Sequence, residues 1–89
     1  RMNVLQKNEF KKAYKRLHDN QRSEVNVAIR KIISQPDIGE QKKGDLAMIW
    51  VYKFPVNNRL HLLAYSVDGD ELLLWALGPH ENFYRDLKK

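Results

Sequence analysis

The spacing of apolar side chains predicts two helices in the first half of the chain. Apolar residues recur at helical intervals in two successive segments, and Pro36 ends the second one. The apolar face of the first segment consists of Phe10, Ala13, Tyr14 and Leu17. That of the second consists of Val25, Ala28, Ile29, Ile32 and Ile33. With Asn8 and Asn20 as predicted caps and a short turn between the segments, we expect a helical hairpin.

Strand-type alternation predicts the remaining elements. Residues 2–6 form a short strand candidate, and three more strands are predicted at 47–54, 59–67 and 71–77. Short turns separate these three strands, so they form an antiparallel meander. Both faces of the meander are apolar, which indicates that the second face is not exposed to solvent. The large side chains assigned to this second face are Trp50, Tyr52, Tyr65 and Trp75. We expect a C-terminal helix and a partner protein to cover it.

These elements predict an α+β fold in the order β-α-α-β-β-β-α. A helical hairpin packs on an antiparallel sheet, and one domain spans residues 1–89. The chain has 89 residues with 43% hydrophobic content, which supports one modest core. No repeat, linker or low-complexity tract divides it.

Charge and cysteine content limit which partners the chain can bind and which types of reactive site it can contain. Lys and Arg number 16 against 11 Asp and Glu, so the formal charge of +5 suits a polyanionic partner, either nucleic acid or an acidic protein. The absence of cysteine excludes a disulfide framework, a thiolate nucleophile and a Cys-based zinc site. No apolar run is long enough to span a bilayer, so we expect a cytoplasmic protein with no membrane partner.

The segment after the last strand carries the strongest candidate for chemistry. His80 follows the predicted turn Gly78-Pro79, with Tyr84 and Arg85 close behind it. Cleavage of RNA needs only proton transfer and stabilisation of a dianionic phosphorane, because the 2′-hydroxyl supplies the nucleophile. A histidine in a basic groove suits that reaction. The alternative is that Gly78-Pro79 is only a turn and that Tyr84 lies on the inner face of a short helix.

Basic and aromatic residues elsewhere supply candidate RNA contacts. The candidates for phosphate binding are Lys42, Lys43, Lys53, Arg59 and Arg85. Tyr52 and Tyr65 are either base-stacking platforms or core residues, and Lys42-Lys43 equally suits a solvated loop. His61 is interpreted as structural or groove-lining. The three histidines lack metal-ligand spacing, so we expect no metal and no cofactor.

Over nearly its full length the chain resembles the RelE/ParE superfamily of bacterial type II toxins. The resemblance is carried by Phe10-Lys11-Lys12-Ala13-Tyr14, Lys42-Lys43-Gly44-Asp45-Leu46, Val51-Tyr52-Lys53-Phe54, Leu63-Ala64-Tyr65, and the ending from Leu77-Gly78-Pro79-His80 to Lys88. It implies an mRNA interferase, a toxin that cuts messenger RNA, usually on the ribosome. It also implies a cognate antitoxin whose extended segment wraps the helices and the sheet.

The resemblance also implies roles for individual residues. His80 and Tyr84 stand where YafQ-like members carry a catalytic histidine and a nearby aromatic, and Arg59 stands where RelE-like members carry a basic residue. Lys42-Lys43 resembles the basic pair of that branch. The further acid and histidine positions of YafQ-like members are not matched. We therefore expect His80 to be general acid or base, Arg59 and the lysines to bind phosphate, and Tyr84 to orient the substrate.

Two other functions fit the same resemblance. A ParE-like toxin inhibits DNA gyrase and needs a protein-binding surface rather than a protonatable residue. A binding module with the toxin fold and no activity of its own would also fit the few candidate site residues.

Overall fold

A computed structural model describes residues 2–42, 44 and 48–79 of the chain. The regular elements of the described residues are β1 (Asn3–Gln6), α1 (Asn8–Arg16), α2 (Asp19–Ser34), a 3₁₀ turn (Pro36–Ile38), β2 (Glu40–Gln41), β3 (Trp50–Val56), β4 (Arg59–Asp68) and β5 (Glu71–Pro79). The predicted C-terminal helix lies outside the described residues.

The two predicted helices are confirmed, but their caps are not the predicted asparagines. Lys7 is the N-cap of α1 and His18 is the N-cap of α2. The backbone N–H of His18 donates to Oε1 of Gln21 at 2.8 Å. Gln21 thereby satisfies the backbone donor that precedes α2, so the helix starts before Asn20.

The sheet confirms the predicted meander and extends it on both sides. Its strand order is β1-β5-β4-β3-β2, with β1 parallel to β5 and the other pairs antiparallel. The sheet is therefore mixed, and β2 is an additional strand. The turn between β3 and β4 is shorter than predicted, because only Asn57 and Asn58 lie in it. Both have positive φ, 52° and 65°, as the type I′ turn of a two-residue hairpin requires.

The two helices cover one face of the sheet and form the main core with it. We call this the helix face. Helix α1 packs on β5, and α2 packs on β3. The buried members of this core are Phe10, Val25, Ala28, Ile32, Phe54, Val56, Leu63, Tyr65, Leu72, Leu74 and Leu77. The hydroxyl of Tyr14 on α1 donates to Oδ1 of Asn26 on α2 at 2.8 Å, a hydrogen bond that links the two helices.

The opposite face, which we call the open face, carries a second apolar cluster. Ile49, Val51, Leu62 and Ala64 are buried there, with Trp75 and Ala76 packed against them. The sequence-based grouping of four aromatic residues on this face is wrong for three of them. Trp50, Tyr52 and Tyr65 pack into the helix-face core, and only Trp75 belongs to the open face. No helix among the described residues is long and apolar enough to cross a membrane.

Candidate functional site

Three of the seven predicted site residues lie in the described part of the chain. They are Lys42, Lys53 and Arg59. His80, Tyr84, Arg85 and Lys43 lie outside the described residues, so their predicted roles remain predictions. The strand that leads directly to His80 is described as far as Pro79. The prediction of a turn at Gly78-Pro79 is therefore wrong, because both residues pair with β4.

Strand pairing places the end of β5 beside the hairpin that joins β3 and β4. Pro79 is paired with His61, which is paired in turn with Phe54. In the neighbouring row, Gly78 is paired with Leu62 and Leu62 with Lys53. The two cations Lys53 and Arg59 therefore lie at the same end of the sheet as the residue that precedes His80.

The pleat of the sheet directs these two cations to opposite faces. Lys53 is paired with Leu62, a member of the open-face cluster. Arg59 is paired with Val56, which belongs to the helix-face core. Paired residues in an antiparallel ladder point to the same face, and both cations are exposed. Of these two cations, Lys53 therefore lies on the open face and Arg59 on the helix face.

Lys42 lies on the open face as well, at the far edge of the sheet. Its backbone N–H donates to the carbonyl of Ile49 at 2.9 Å, which continues the pairing of β2 with β3. Its ammonium lies 3.2 Å from Oε1 of Glu40. Lys53 is four positions after Ile49 along the chain, so the two lysines lie about 13 Å apart in the direction of β3. A polyanion that contacts both must be extended across the open face.

His61 is the one buried polar or charged residue of the described chain, at 6% exposure. Its Nδ1 lies 3.0 Å from the carbonyl oxygen of Arg59. Because a carbonyl oxygen only accepts hydrogen bonds, Nδ1 is the donor in this contact. This contact holds the ring against the backbone at the start of β4.

The aromatic candidates have separate roles. Tyr65 is fully buried, so it cannot stack on a base. Burial, followed by a smaller contribution from the Asp37 carboxylate, raises the pKa of Tyr65 above 10.0 against the opposing effect of its hydrogen bond with Gly39. Tyr52 is half-buried and stacks on Phe54 with 5.7 Å between ring centroids.

Trp75 is the one of the four predicted partner-binding aromatic residues that lies on the open face. Its indole N–H donates to Oγ of Ser66 at 2.8 Å. The ammonium of Lys7 lies 4.7 Å from its ring centroid, a cation-π contact. This contact could not be predicted from the sequence, because it depends on the pairing of β1 with β5.

Comparison with known proteins agrees with this fold. Residues 4–88 match a family model described as the ParE-like toxin of type II bacterial toxin-antitoxin systems. A YoeB/ParE toxin from Agrobacterium tumefaciens is 23% identical, with a TM-score of 0.70 over 89% of this chain and 99% of that one. The intact RelBE complex of E. coli is 14% identical, with a TM-score of 0.72 over 91% of this chain and 99% of the matched chain.

The isolated RelE toxin of E. coli is also similar, with 14% identity and a TM-score of 0.71 over 99% of this chain and 97% of that chain. Comparison with curated proteins found no match. The solved structures show a shared fold, and the family model covers almost the whole chain. The chain therefore belongs to the ParE-like toxins of type II bacterial toxin-antitoxin systems, within the RelE/ParE superfamily.

Proposed function

We propose that this toxin is an mRNA interferase that cleaves messenger RNA at the ribosome in the cytoplasm and thereby inhibits translation. The observation that supports the proposal is the placement of two cations at one end of the sheet. Lys53 and Arg59 lie, on opposite faces, at the end where β5 reaches Pro79, and His80 is the next residue of the chain. Proton transfer by a titratable group and charge stabilisation by cations are what RNA cleavage requires.

In the proposed reaction the 2′-oxygen attacks the adjacent phosphorus and the 5′-oxygen leaves. His80 moves the proton of the nucleophile or of the leaving group, without a metal or a cofactor. Arg59 stabilises the negative charge that builds up on the phosphorane, and Tyr84 orients the substrate. Lys42, Lys43, Lys53 and Arg85 bind the phosphates on either side, and the open face provides the surface along which the strand extends.

We further propose that a cognate antitoxin neutralises the chain. RelE of E. coli has been solved both in the RelBE complex and as a variant bound to a peptide of the antitoxin RelB. The present toxin carries a net charge of +5, so an acidic antitoxin segment would associate with it quickly and in a salt-dependent manner.

Inhibition of DNA gyrase is the second candidate function. It is favoured by the description of the matching family as ParE-like. The placement of Lys53 and Arg59 on opposite faces also favours it, because two cations that do not share a cleft stabilise one phosphorane less well than two that do.

Induction of the toxin in growing cells distinguishes the two functions. We expect early arrest of protein synthesis with cleaved transcripts, while plasmid supercoiling stays unchanged. A DNA-damage response with intact transcripts would instead identify a gyrase inhibitor. Cleavage of a purified transcript with and without ribosomes then determines whether the ribosome is required.

A further inference from the structure

The two edges of the sheet differ in how they are protected. At the β2-β3 edge stand Glu40, Lys42, Lys53 and Pro55, and charges and proline are the usual means of preventing edge-to-edge pairing. At the β1 edge the sequence Asn3–Gln6 contains neither a charge nor a proline. Val4 and Leu5 are 37% and 47% exposed, and they are two of the five exposed large apolar side chains in the described chain.

The hydrogen bonds of β1 show which of its backbone groups face outward. The N–H groups of Asn3 and Lys7 donate into β5, to the carbonyls of Asp70 at 2.8 Å and Leu74 at 2.9 Å. The direction of the backbone N–H and C=O groups alternates along a strand, so those of Leu5 also point towards β5. The backbone N–H and C=O groups of Val4 and Gln6 point away from β5. The edge therefore presents two N–H groups and two carbonyls, placed symmetrically about Leu5.

We propose that this edge is a self-association surface, on which β1 of a second copy of the chain pairs antiparallel in a register centred on Leu5. Val4 of each copy then lies opposite Gln6 of the other, and each of the two pairs exchanges both of its backbone hydrogen bonds. The sheets of the two copies join across a two-fold axis with both helical layers on the same side. The proposal is independent of the reaction that the toxin catalyses.

Charge at the two ends of β1 favours a second copy in this register. The basic residue Lys7 follows one end, whereas Asp70 and Glu71 adjoin the other, where Glu71 is paired with Asn3. The register brings Lys7 of each copy opposite Asn3 of the other, beside that acidic pair. At the centre, the two exposed Leu5 side chains meet on the open face. The contact is small, so the expected state is a reversible equilibrium of monomer and dimer.

A single engineered cysteine tests the register, because the 89-residue sequence contains none. Residues at a non-hydrogen-bonded antiparallel pair have Cα atoms about 4.5 Å apart, within disulfide range. Leu5→Cys should therefore give a disulfide-linked dimer under mild oxidation. Val4→Cys is the matched control, since two copies of residue 4 lie more than about 7 Å apart in this register and should not be bridged.

A second pair of variants tests the backbone contact itself. Val4→Pro removes the outward N–H without removing a bond to β5, whereas Val4→Thr keeps it. In sedimentation equilibrium, Val4→Pro should weaken dimerisation at least about tenfold, and Val4→Thr should leave it unchanged. Equal melting temperatures of the two variants exclude a folding defect. A monomeric parent at about 500 µM, or equal cross-linking of Leu5→Cys and Val4→Cys, would overturn the proposal.

Discussion

The hydroxyl of Tyr65 accepts a hydrogen bond from the backbone N–H of Gly39 at 3.1 Å. The same hydroxyl donates to the carbonyl of Pro36 at 2.6 Å. Gly39 has to be a glycine here, because a Cβ would stand 2.8 Å from the Tyr65 oxygen and 2.9 Å from the carbonyl oxygen of Val51. One buried phenol thus attaches the segment after α2 to the centre of the sheet.

Replacing Tyr65 by Phe should lower the free energy of unfolding by about 1–3 kcal/mol, because the substitution leaves the Gly39 N–H and the Pro36 carbonyl without their partner. Urea unfolding followed by tryptophan fluorescence measures the change. Tyr52→Phe is the matched control, since Tyr52 is half-buried and should lose less than about 0.5 kcal/mol. Equal losses in the two variants would contradict the role of the Tyr65 hydroxyl.

The raised pKa of Tyr65 predicts a loss of stability in alkali. The unfolded chain releases the phenolic proton near 10.0, and the folded chain holds it to a higher pH, since burial raises the pKa. The stability contributed by this group is therefore complete below pH 10.0 and falls as the pH rises from there towards the folded pKa. In Tyr65→Phe the unfolding free energy should decline less steeply over this range. Parallel pH profiles for the two proteins would exclude a linked Tyr65 proton.

A glycine in the turn between β3 and β4 should preserve or increase the stability of the fold. Asn58 has a φ of 65°, a conformation that costs glycine nothing and costs residues with a branched Cβ the most. Asn58→Gly should keep or raise the unfolding free energy by up to about 1 kcal/mol, and Asn58→Val should lower it by at least about 1 kcal/mol. Thermal unfolding of the two variants provides the comparison. A more stable Val variant would show that the turn has a different geometry in solution.

The helices and the meander were predictable because their periods differ, 3.6 residues against two, and each is sustained over a whole element. The sequence could not show which face of the sheet packs against the helices. Apolar residues occupy both sides of β3 and β4, so their alternation does not distinguish the two faces. That is why Tyr65 was a candidate for base stacking. The parallel partner of β1 is likewise set by tertiary packing, because most of the chain separates β1 from β5.

Less of the candidate site could be predicted. The neighbourhood of His61 and Pro79 depends on the register of β4 and β5, and that register shifts at an irregularity between Ala64 and Tyr65. No local pattern marks this shift. The position of Lys53 on the open face also emerged only from its pairing with Leu62. The prediction of His80 came from its position after a strand and from family resemblance, so it must be tested by experiment.

Lys53→Gln should weaken binding of single-stranded RNA and reduce the slope of log K against log salt by about 0.7, the value for one lost phosphate contact. Titrations of a labelled oligonucleotide at several salt concentrations measure that slope. Lys15→Gln is the control, because Lys15 is an exposed cation on α1, on the other side of the sheet. If both variants changed the slope equally, binding would reflect net charge and not the open face.

The most direct test of proton transfer by His80 is the pH-rate profile of transcript cleavage by the parent and by His80→Gln. Glutamine keeps a polar side chain of similar reach but does not titrate near neutrality. We expect cleavage to fall by about 10²- to 10⁴-fold and to lose its pH dependence in the histidine range, with the melting temperature close to that of the parent. A His80→Gln variant that cleaves at the parental rate with the parental profile would contradict catalysis by His80.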